Sequence, residues 1–389
     1  MTGQLWQRPR HLLGVAVGGV VVAILALGMS NPSASAATAS PTIDPLRANH
    51  GVVVQGHTPP AISAKSWIVV DADSGDVLAA KNAHTRLRPA STLKTLTAVT
   101  LLPRLTLDDE YRVRWEDAHV TGSAVGIVPG SRYTVDQLFY GLMLPSGNDA
   151  ARALASANGG LPATVREMNA TAQSLGATDT HAVNPTGLDA RGQLTSAFDL
   201  ALFARQGLTN KNFCRYVSTT STSFPAQEPK GNQKRKSYMI YNQNPLLING
   251  YRGIMGVKTG YTTQAGRTFV AAAQRGGQTL IVALMGIVEP SETAAERLLQ
   301  WGWTHGEAVT PVGSLDAAVG VVPAGAEPSN ATHQTADPAV TATPPLANAN
   351  GVSAGESHGQ SIGLSVLLWV FAGAALIAAG WWLQMRRRP

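Results

Sequence analysis

The feature that most limits what this chain can fold into is a helix that must be buried yet begins with a serine and a lysine. Pro89 suits a helix start, Leu93, Leu96, Val99 and Leu102 repeat at helical spacing, and Pro103 ends the run. Ser91 and Lys94 are three residues apart, so they share one face of this helix. A serine hydroxyl is a weak nucleophile until a base takes its proton. Lysine can be that base only where burial or a second cation lowers its pKa. The helix N-terminus also favours developing negative charge. Taken alone, Ser-x-x-Lys reads equally as a capping serine beside a surface lysine. Two later elements, Ser146-Gly147-Asn148 and Lys258-Thr259-Gly260, read singly as a turn and a strand end. The three together, in this order, are far more specific than any one of them.

The elements around these motifs set the fold class. Ser66–Val70 and Val77–Ala80 flank Asp71-Ala72-Asp73-Ser74-Gly75-Asp76, which predicts a β-hairpin. Thr134 with Gln137 forms a capping box, followed by Val135, Leu138, Phe139, Leu142 and Met143 at helical spacing. Pro145 and Gly147 break that helix, which places Ser146 and Asn148 in a loop between two helices. Helices are expected over 162–175, closed by Gly176, and 196–206, closed by Gly207. Ile254–Lys258 reads as a strand. Residues 268–273 and 279–286 read as strands joined through Arg275-Gly276-Gly277, and 292–301 returns to helix. Strands at both ends with helices between them predict an α+β domain, an antiparallel sheet flanked by helices with a mainly helical lobe.

The wider stretches Arg88–Lys94, Tyr133-Thr134-Val135, Ser146-Gly147-Asn148-Asp149-Ala150-Ala151, Asn184-Pro185-Thr186-Gly187-Leu188-Asp189 and Lys258-Thr259-Gly260-Tyr261-Thr262 resemble the serine D-Ala-D-Ala carboxypeptidases, the low-molecular-mass penicillin-binding proteins. The resemblance runs from about Ala64 to Trp303. It implies the penicillin-binding/β-lactamase-like fold, with the site between sheet and helical lobe. It implies Ser91 as the acyl-accepting nucleophile and Lys94 as its base. Ser146 would relay a proton to the leaving amine, and Asn148 would hold the substrate amide and position Lys94. Lys258 and Thr259 would take the substrate carboxylate, Gly260 would let the strand approach the ligand, and the backbone N–H groups of Ser91 and Tyr261 would form the oxyanion hole. The implied substrate is the peptidoglycan stem pentapeptide, with β-lactams as inhibitors. DD-endopeptidase action would use the same residues. A β-lactamase of the related class needs a deacylating glutamate in Glu-x-x-Leu-Asn; Glu167-Met168-Asn169 has the wrong spacing, and 184–195 holds no glutamate. Some family members bind the carboxylate with an arginine after the last strand. Gly286–Ser291 offers none, so either Lys258 and Thr259 take the carboxylate alone or another arginine such as Arg267 helps.

The two ends carry a separate message. Arg8, Arg10 and His11, the apolar run 12–29 and Ala34-Ser35-Ala36 form a signal-peptide layout, cleaved after Ala36. Ile362–Leu383 is a second uncharged run of roughly 33 Å as a helix, enough to span a bilayer. Trp381, Trp382 and then Arg386-Arg387-Arg388 place its far end inside. The expected layout is signal peptide 1–36, flexible leader 37–63, catalytic domain 64–310, Pro/Ala/Thr-rich stalk 311–361, transmembrane helix 362–383 and basic cytoplasmic tail 384–389. The catalytic domain would sit on the cell-wall side of a bacterial cytoplasmic membrane. The second, β-rich domain of larger family members is not expected.

Composition bounds the remaining possibilities. The net charge of +6 comes partly from the terminal clusters and Lys234-Arg235-Lys236, which read as membrane flanks and a solvated loop rather than a nucleic-acid surface. A single cysteine, Cys214, excludes an intrachain disulfide. Nine histidines form no close pair at metal spacing, so neither a metal nor a cofactor is expected.

Overall fold

The computed structural model describes residues 44–48 and 50–317. Both terminal apolar runs, and the signal-peptide, transmembrane and tail assignments that rest on them, lie outside the described residues. Among the described residues no helix is long and apolar enough to cross a membrane.

A seven-stranded antiparallel sheet organises the body. Helix α1 (Pro45–Ala48) and strand β1 (Val52–Val54) precede the hairpin of β2 (Ala64–Asp71) and β3 (Asp76–Lys81). The helical lobe follows. It comprises α2 (Lys94–Leu101), α3 (Trp115–Ala118), α4 (Val135–Met143), α5 (Asn148–Ala157), α6 (Leu161–Ser174), α7 (Ala197–Leu208) and α8 (Lys211–Ser218). Two small two-stranded sheets decorate it, β4 (Glu110–Arg112) with β5 (Arg132–Thr134) and β6 (Ser221–Pro225) with β7 (Ser237–Tyr241). After α9 (Pro245–Ile248) the chain returns to the sheet as β8 (Ile254–Thr262), β9 (Gly266–Arg275) and β10 (Gln278–Ile287). Helix α10 (Ser291–His305) and β11 (Gly313–Ser314) close it. The sheet order is β1-β3-β2-β10-β9-β8, with β11 also paired to β3.

Alternation along the central strands buries both faces. Ile68, Val70, Val270, Ala272 and Ile281 point into the core shared with the helical lobe. Trp67, Val69, Phe269, Ala271 and Leu280 point under α10, against Leu298 and Leu299. The anticipated α+β architecture is therefore the observed one, and Gly276 and Gly277 take the left-handed φ values the β9–β10 turn needs.

Three expectations change. The sheet reaches past both ends of the expected 64–310 domain. Val52, within the 37–63 stretch, pairs with Lys81, and Gly313, within the 311–361 stretch, pairs with Val77. An otherwise open β3 edge is thus partly covered from both sides. Asn148 is the first residue of α5 rather than a loop residue, because Gly147 takes the cap position ahead of it. Helix α7 runs through Gly207 to Leu208; Gly207 serves packing instead, since a Cβ there would meet the Phe213 ring at 2.7 Å.

Candidate active site

The turn that carries Ser91 is held from three directions. Residues 90–93 form one 3-10 turn leading into α2. Ala90 adopts φ 49°, a left-handed conformation that a non-glycine residue keeps only when its surroundings impose it. The Pro89 carbonyl accepts from Thr92 Oγ1 at 2.6 Å and from Thr268 Oγ1 of β9 at 2.9 Å. Gly260 of β8 lies against the same turn, where a Cβ would come within 2.7 Å of the Ser91 amide nitrogen. Gly187 presses from the other side at φ +83°, and a Cβ there would overlap the Ala90 carbonyl. These two glycines are the points where backbone must approach backbone.

Lys94 is fully buried at the start of α2. Its Nζ lies 3.1 Å from Ser91 Oγ, and it donates to Asn148 Oδ1 and to the Thr186 carbonyl, each at 2.7 Å. The Asn148 amide cannot be turned round, because its Nδ2 donates to the Thr121 carbonyl at 2.7 Å. Burial, reinforced by the Lys258 charge and partly opposed by Asp149, holds the Lys94 amine well below the ordinary lysine range.

The Thr186 carbonyl was not foreseen as part of the site. Asn184 aims it, its Oδ1 accepting from Thr186 N, Thr186 Oγ1 and Gly187 N at 3.1, 2.7 and 3.0 Å. Thr97 of α2 docks the same loop by donating to the Pro185 carbonyl at 2.8 Å. The signal was present in Asn184-Pro185-Thr186-Gly187, an Asx-turn composition, but a carbonyl has no residue type and so leaves no mark on a sequence.

Ser146 sits at φ 64°, buried, and its Oγ has no hydrogen-bond partner among the described residues. Next to it Asp149 accepts from four backbone N–H groups, those of Val125, Gly126, Ile127 and Ala150, at 2.7–3.1 Å. This carboxylate pins the loop that carries Ser123 to the site, a second contribution not foreseen.

Across the cleft, Lys258, Thr259, Gly260 and Tyr261 all lie on β8, which extends four residues past its expected end at Lys258. Lys258 is 2% exposed and donates to the carbonyl of its own neighbour Thr259 at 3.0 Å. Burial brings its ammonium down to about 7. Ser91, Ser123, Ser146, Gln243, Thr259, Gly260, Tyr261 and Arg267 line one cavity of about 320 Å³. A larger cavity of about 540 Å³ lies elsewhere, between Leu202, Arg205, Gln274 and Asp316, and presents neither a serine nor a buried amine.

Glu167 is occupied outside this cavity, accepting from Asn158 Nδ2 at 2.6 Å and pairing with Arg104 at 3.4 Å. His84, near the nucleophile in sequence, belongs instead to a peripheral network, 2.6 Å from Asp179 and 3.3 Å from Asp44. Among the described residues no cluster of His, Cys, Asp and Glu could hold a metal ion.

Comparison with known proteins gives a consistent result. The D-alanyl-D-alanine carboxypeptidase family matches residues 53–288. The D-alanyl-D-alanine carboxypeptidase DacB2 of Mycobacterium tuberculosis is 41% identical over 259 residues, covering 65% of this chain and 86% of that protein. DacF of Bacillus subtilis is 33% identical, and the match spans 61% of this chain but only 60% of the longer relative. Among solved structures, a D-alanyl-D-alanine carboxypeptidase from Mycobacterium tuberculosis superposes with TM-score 0.62 at 40% identity, over 67% of this chain and 100% of that one. The Streptomyces K15 DD-transpeptidase does so with TM-score 0.60 at 30% identity, over 64% of this chain and 100% of that one.

Proposed function

Because the chain belongs to the D-alanyl-D-alanine carboxypeptidase family, we propose that Ser91 and Lys94 remove the terminal D-alanine of a peptidoglycan stem peptide through a covalent acyl-serine. The observation that carries this reading is the coordination of Lys94. A neutral amine has two N–H donors and one lone pair. Its donors are taken by Asn148 Oδ1 and the Thr186 carbonyl, both at 2.7 Å, so the lone pair is left for Ser91 Oγ at 3.1 Å. This geometry supports Lys94 as the acceptor of the serine proton.

The steps follow from this orientation. Lys94 takes the Ser91 proton as Oγ bonds to the carbonyl carbon of the penultimate D-alanine. The carbonyl oxygen becomes an oxyanion, held by the backbone N–H groups of Ser91 and Tyr261. The carbon–nitrogen bond breaks, the proton held by Lys94 passes through Ser146 to the departing amine, Lys94 is neutral again, and D-alanine leaves. Water enters in its place and gives its proton to Lys94 as it attacks the ester, which releases the shortened peptide and restores Ser91. Ser146 suits the relay because its hydroxyl is buried and unpartnered at the cavity wall. Thr259 offers a hydroxyl toward the terminal carboxylate. A β-lactam enters by the same attack, but its leaving group stays tethered and blocks the water.

Electrospray mass spectrometry of the protein with a D-Ala-D-Ala pentapeptide and, separately, with penicillin tests this. The expected result is catalytic release of free D-alanine alongside a long-lived penicilloyl adduct on Ser91. Rapid penicillin hydrolysis without D-alanine release would replace this reading with a β-lactamase.

The placement of the enzyme is a further part of the proposal. The apolar runs 12–29 and 362–383, with their basic flanks, support export and a C-terminal membrane tether, the catalytic body facing the cell wall. Protease added to intact spheroplasts is expected to release the body by cutting between 318 and 361. A body left protected would contradict this topology.

A further inference from the structure

We propose that Trp115 is a platform on which a sugar ring of the glycan strand that carries the stem peptide packs. The proposal rests on the carboxypeptidase reading above and extends its substrate from the peptide to the polymer. Trp115 is 67% exposed and belongs to neither hydrophobic core. A single exposed apolar side chain is ordinary, but this one is held in place. His119 stacks on one face of the indole, with ring centroids 3.4 Å apart and planes 20° apart. The His119 ring is itself tied through Nδ1 to the Trp115 carbonyl at 2.8 Å. Beneath them the four-residue helix α3 is anchored by its buried Asp117. That carboxylate accepts from Tyr111 Oη and Ser156 Oγ, each at 2.6 Å, and from Arg114 N at 3.1 Å. With one face covered by His119, so large an exposure leaves the other face open. A rigid aromatic surface binds at little cost in conformational entropy. The C–H face of a sugar ring can lie on it, with the hydroxyl groups turned toward Arg114 and Glu116, which are exposed on either side.

Position is what selects a sugar of this substrate. From His119 the chain runs through exposed Thr121 and Gly122 to Ser123, which lines the Ser91 cavity. Asn148 fixes this segment at the cavity, its Nδ2 donating to the Thr121 carbonyl and its backbone N–H to the Ser123 carbonyl, both at 2.7 Å. His119 and Ser123 are four residues apart (123 minus 119), at most about 14 Å of chain. In a stem pentapeptide four residues likewise separate the sugar from the scissile carbonyl, an extended reach of about 14 Å. The two spans match, so a peptide seated at Ser91 has its sugar within reach of the platform. The platform lies on the helical lobe, on the stem side of the scissile bond, and takes no part in holding the departing D-alanine.

The test compares two substrates on the full-length protein and its Trp115→Ala and Trp115→Phe variants. One is the free stem pentapeptide, and the other is the same peptide on a short glycan fragment. Release of D-alanine is followed. The wild type should favour the glycan-borne peptide by about 3- to 10-fold in kcat/KM, the worth of one aromatic contact. Trp115→Ala should abolish that preference through KM, with kcat unchanged, while turnover of the free peptide stays at the wild-type level and so reports an intact fold. Trp115→Phe should keep part of the preference. A wild type without the preference, a preference that survives in Trp115→Ala, or an equal loss on both substrates would overturn the platform. Sedimentation of both proteins covers the other occupant: a dimer lost in Trp115→Ala with both turnovers unchanged would assign the indole to a second copy of this chain instead. A wild type that released D-alanine from neither substrate would overturn the carboxypeptidase reading and this proposal with it.

Discussion

Two buried lysines face each other across this cleft, and they differ in how much the protein does for them. Lys94, on the helical lobe, has all of its bonding capacity assigned, to Ser91, Asn148 and the Thr186 carbonyl. Lys258, on the sheet edge, has among the described residues only the carbonyl of the next residue in its own strand. Burial pushes both below the ordinary lysine range, and the charge on Lys258 pushes Lys94 down further. The first arrangement is complete without substrate, as a base must be if it is to act the moment a carbonyl arrives. The second is unfinished and leaves donors for a partner brought by the substrate. On the proposed mechanism, the residue that transfers the proton is fixed in advance, whereas the one that supplies charge is left incomplete until binding.

Substitution should separate the two. Lys94→Met is expected to slow acylation of Ser91 by about three orders of magnitude or more, since it removes the base outright. It should also destabilise the fold by about 1–3 kcal/mol, because Asn148 Oδ1 and the Thr186 carbonyl lose their donor. Stopped-flow acylation with a fluorescent penicillin and chemical denaturation measure the two effects. Comparable acylation in the folded variant would show that Lys94 is not the base.

Gly187→Ala tests whether the nucleophile turn and the loop that carries the Thr186 carbonyl are one unit. The new Cβ would sit 1.9 Å from the Ala90 carbonyl oxygen, at φ +83°. The turn and the loop must then separate, and penicillin labelling should fall by about two orders of magnitude, with roughly 2–4 kcal/mol lost in stability. Retention of both would mean that the contact is easily relieved.

Lys258→Met should raise KM for the peptide about tenfold yet stabilise the body. The ammonium titrates near 7 in the fold and near 10.5 in the unfolded chain. Between those values the unfolded chain binds more protons, so wild-type stability rises with pH across that window and is lowest below it. The contribution is on the order of a few kcal/mol. Urea midpoints of wild type and Lys258→Met, taken at pH 6 and pH 9, should therefore lie far apart at pH 6 and converge at pH 9. Parallel curves would show that Lys258 is not a costly charge. The smallest effect is expected for Asn184→Ala. It loosens the aim of the Thr186 carbonyl without removing it, which should lower kcat about five- to tenfold and leave KM unchanged.

What could be read in advance follows the same division. Side chains with a characteristic spacing were legible: Ser91 and Lys94 by the helical turn, the Thr134–Gln137 cap by its pattern, the β9–β10 hairpin by Gly276-Gly277. The capping bonds at 3.1 and 3.2 Å and the left-handed glycines bear out the cap and the hairpin. Contributions of the backbone were not legible. The Thr186 carbonyl, the four N–H groups around Asp149 and the left-handed Ala90 and Ser146 depend on segments far apart in sequence meeting in space. The same holds for β1 and β11, which are too short to show alternation and exist only because β3 offers them an edge.

The central claim is that Lys94 is unprotonated when the enzyme acts. It is tested most directly by an NMR titration of the lysine side chains, with the Nζ-adjacent carbons isotopically labelled and the two signals assigned through Lys94→Met and Lys258→Met. The account predicts one lysine titrating near pH 7, absent in Lys258→Met, and a second, absent in Lys94→Met, that loses its proton well below the ordinary lysine range. A Lys94 signal that stayed an ammonium up to about pH 10 would contradict it.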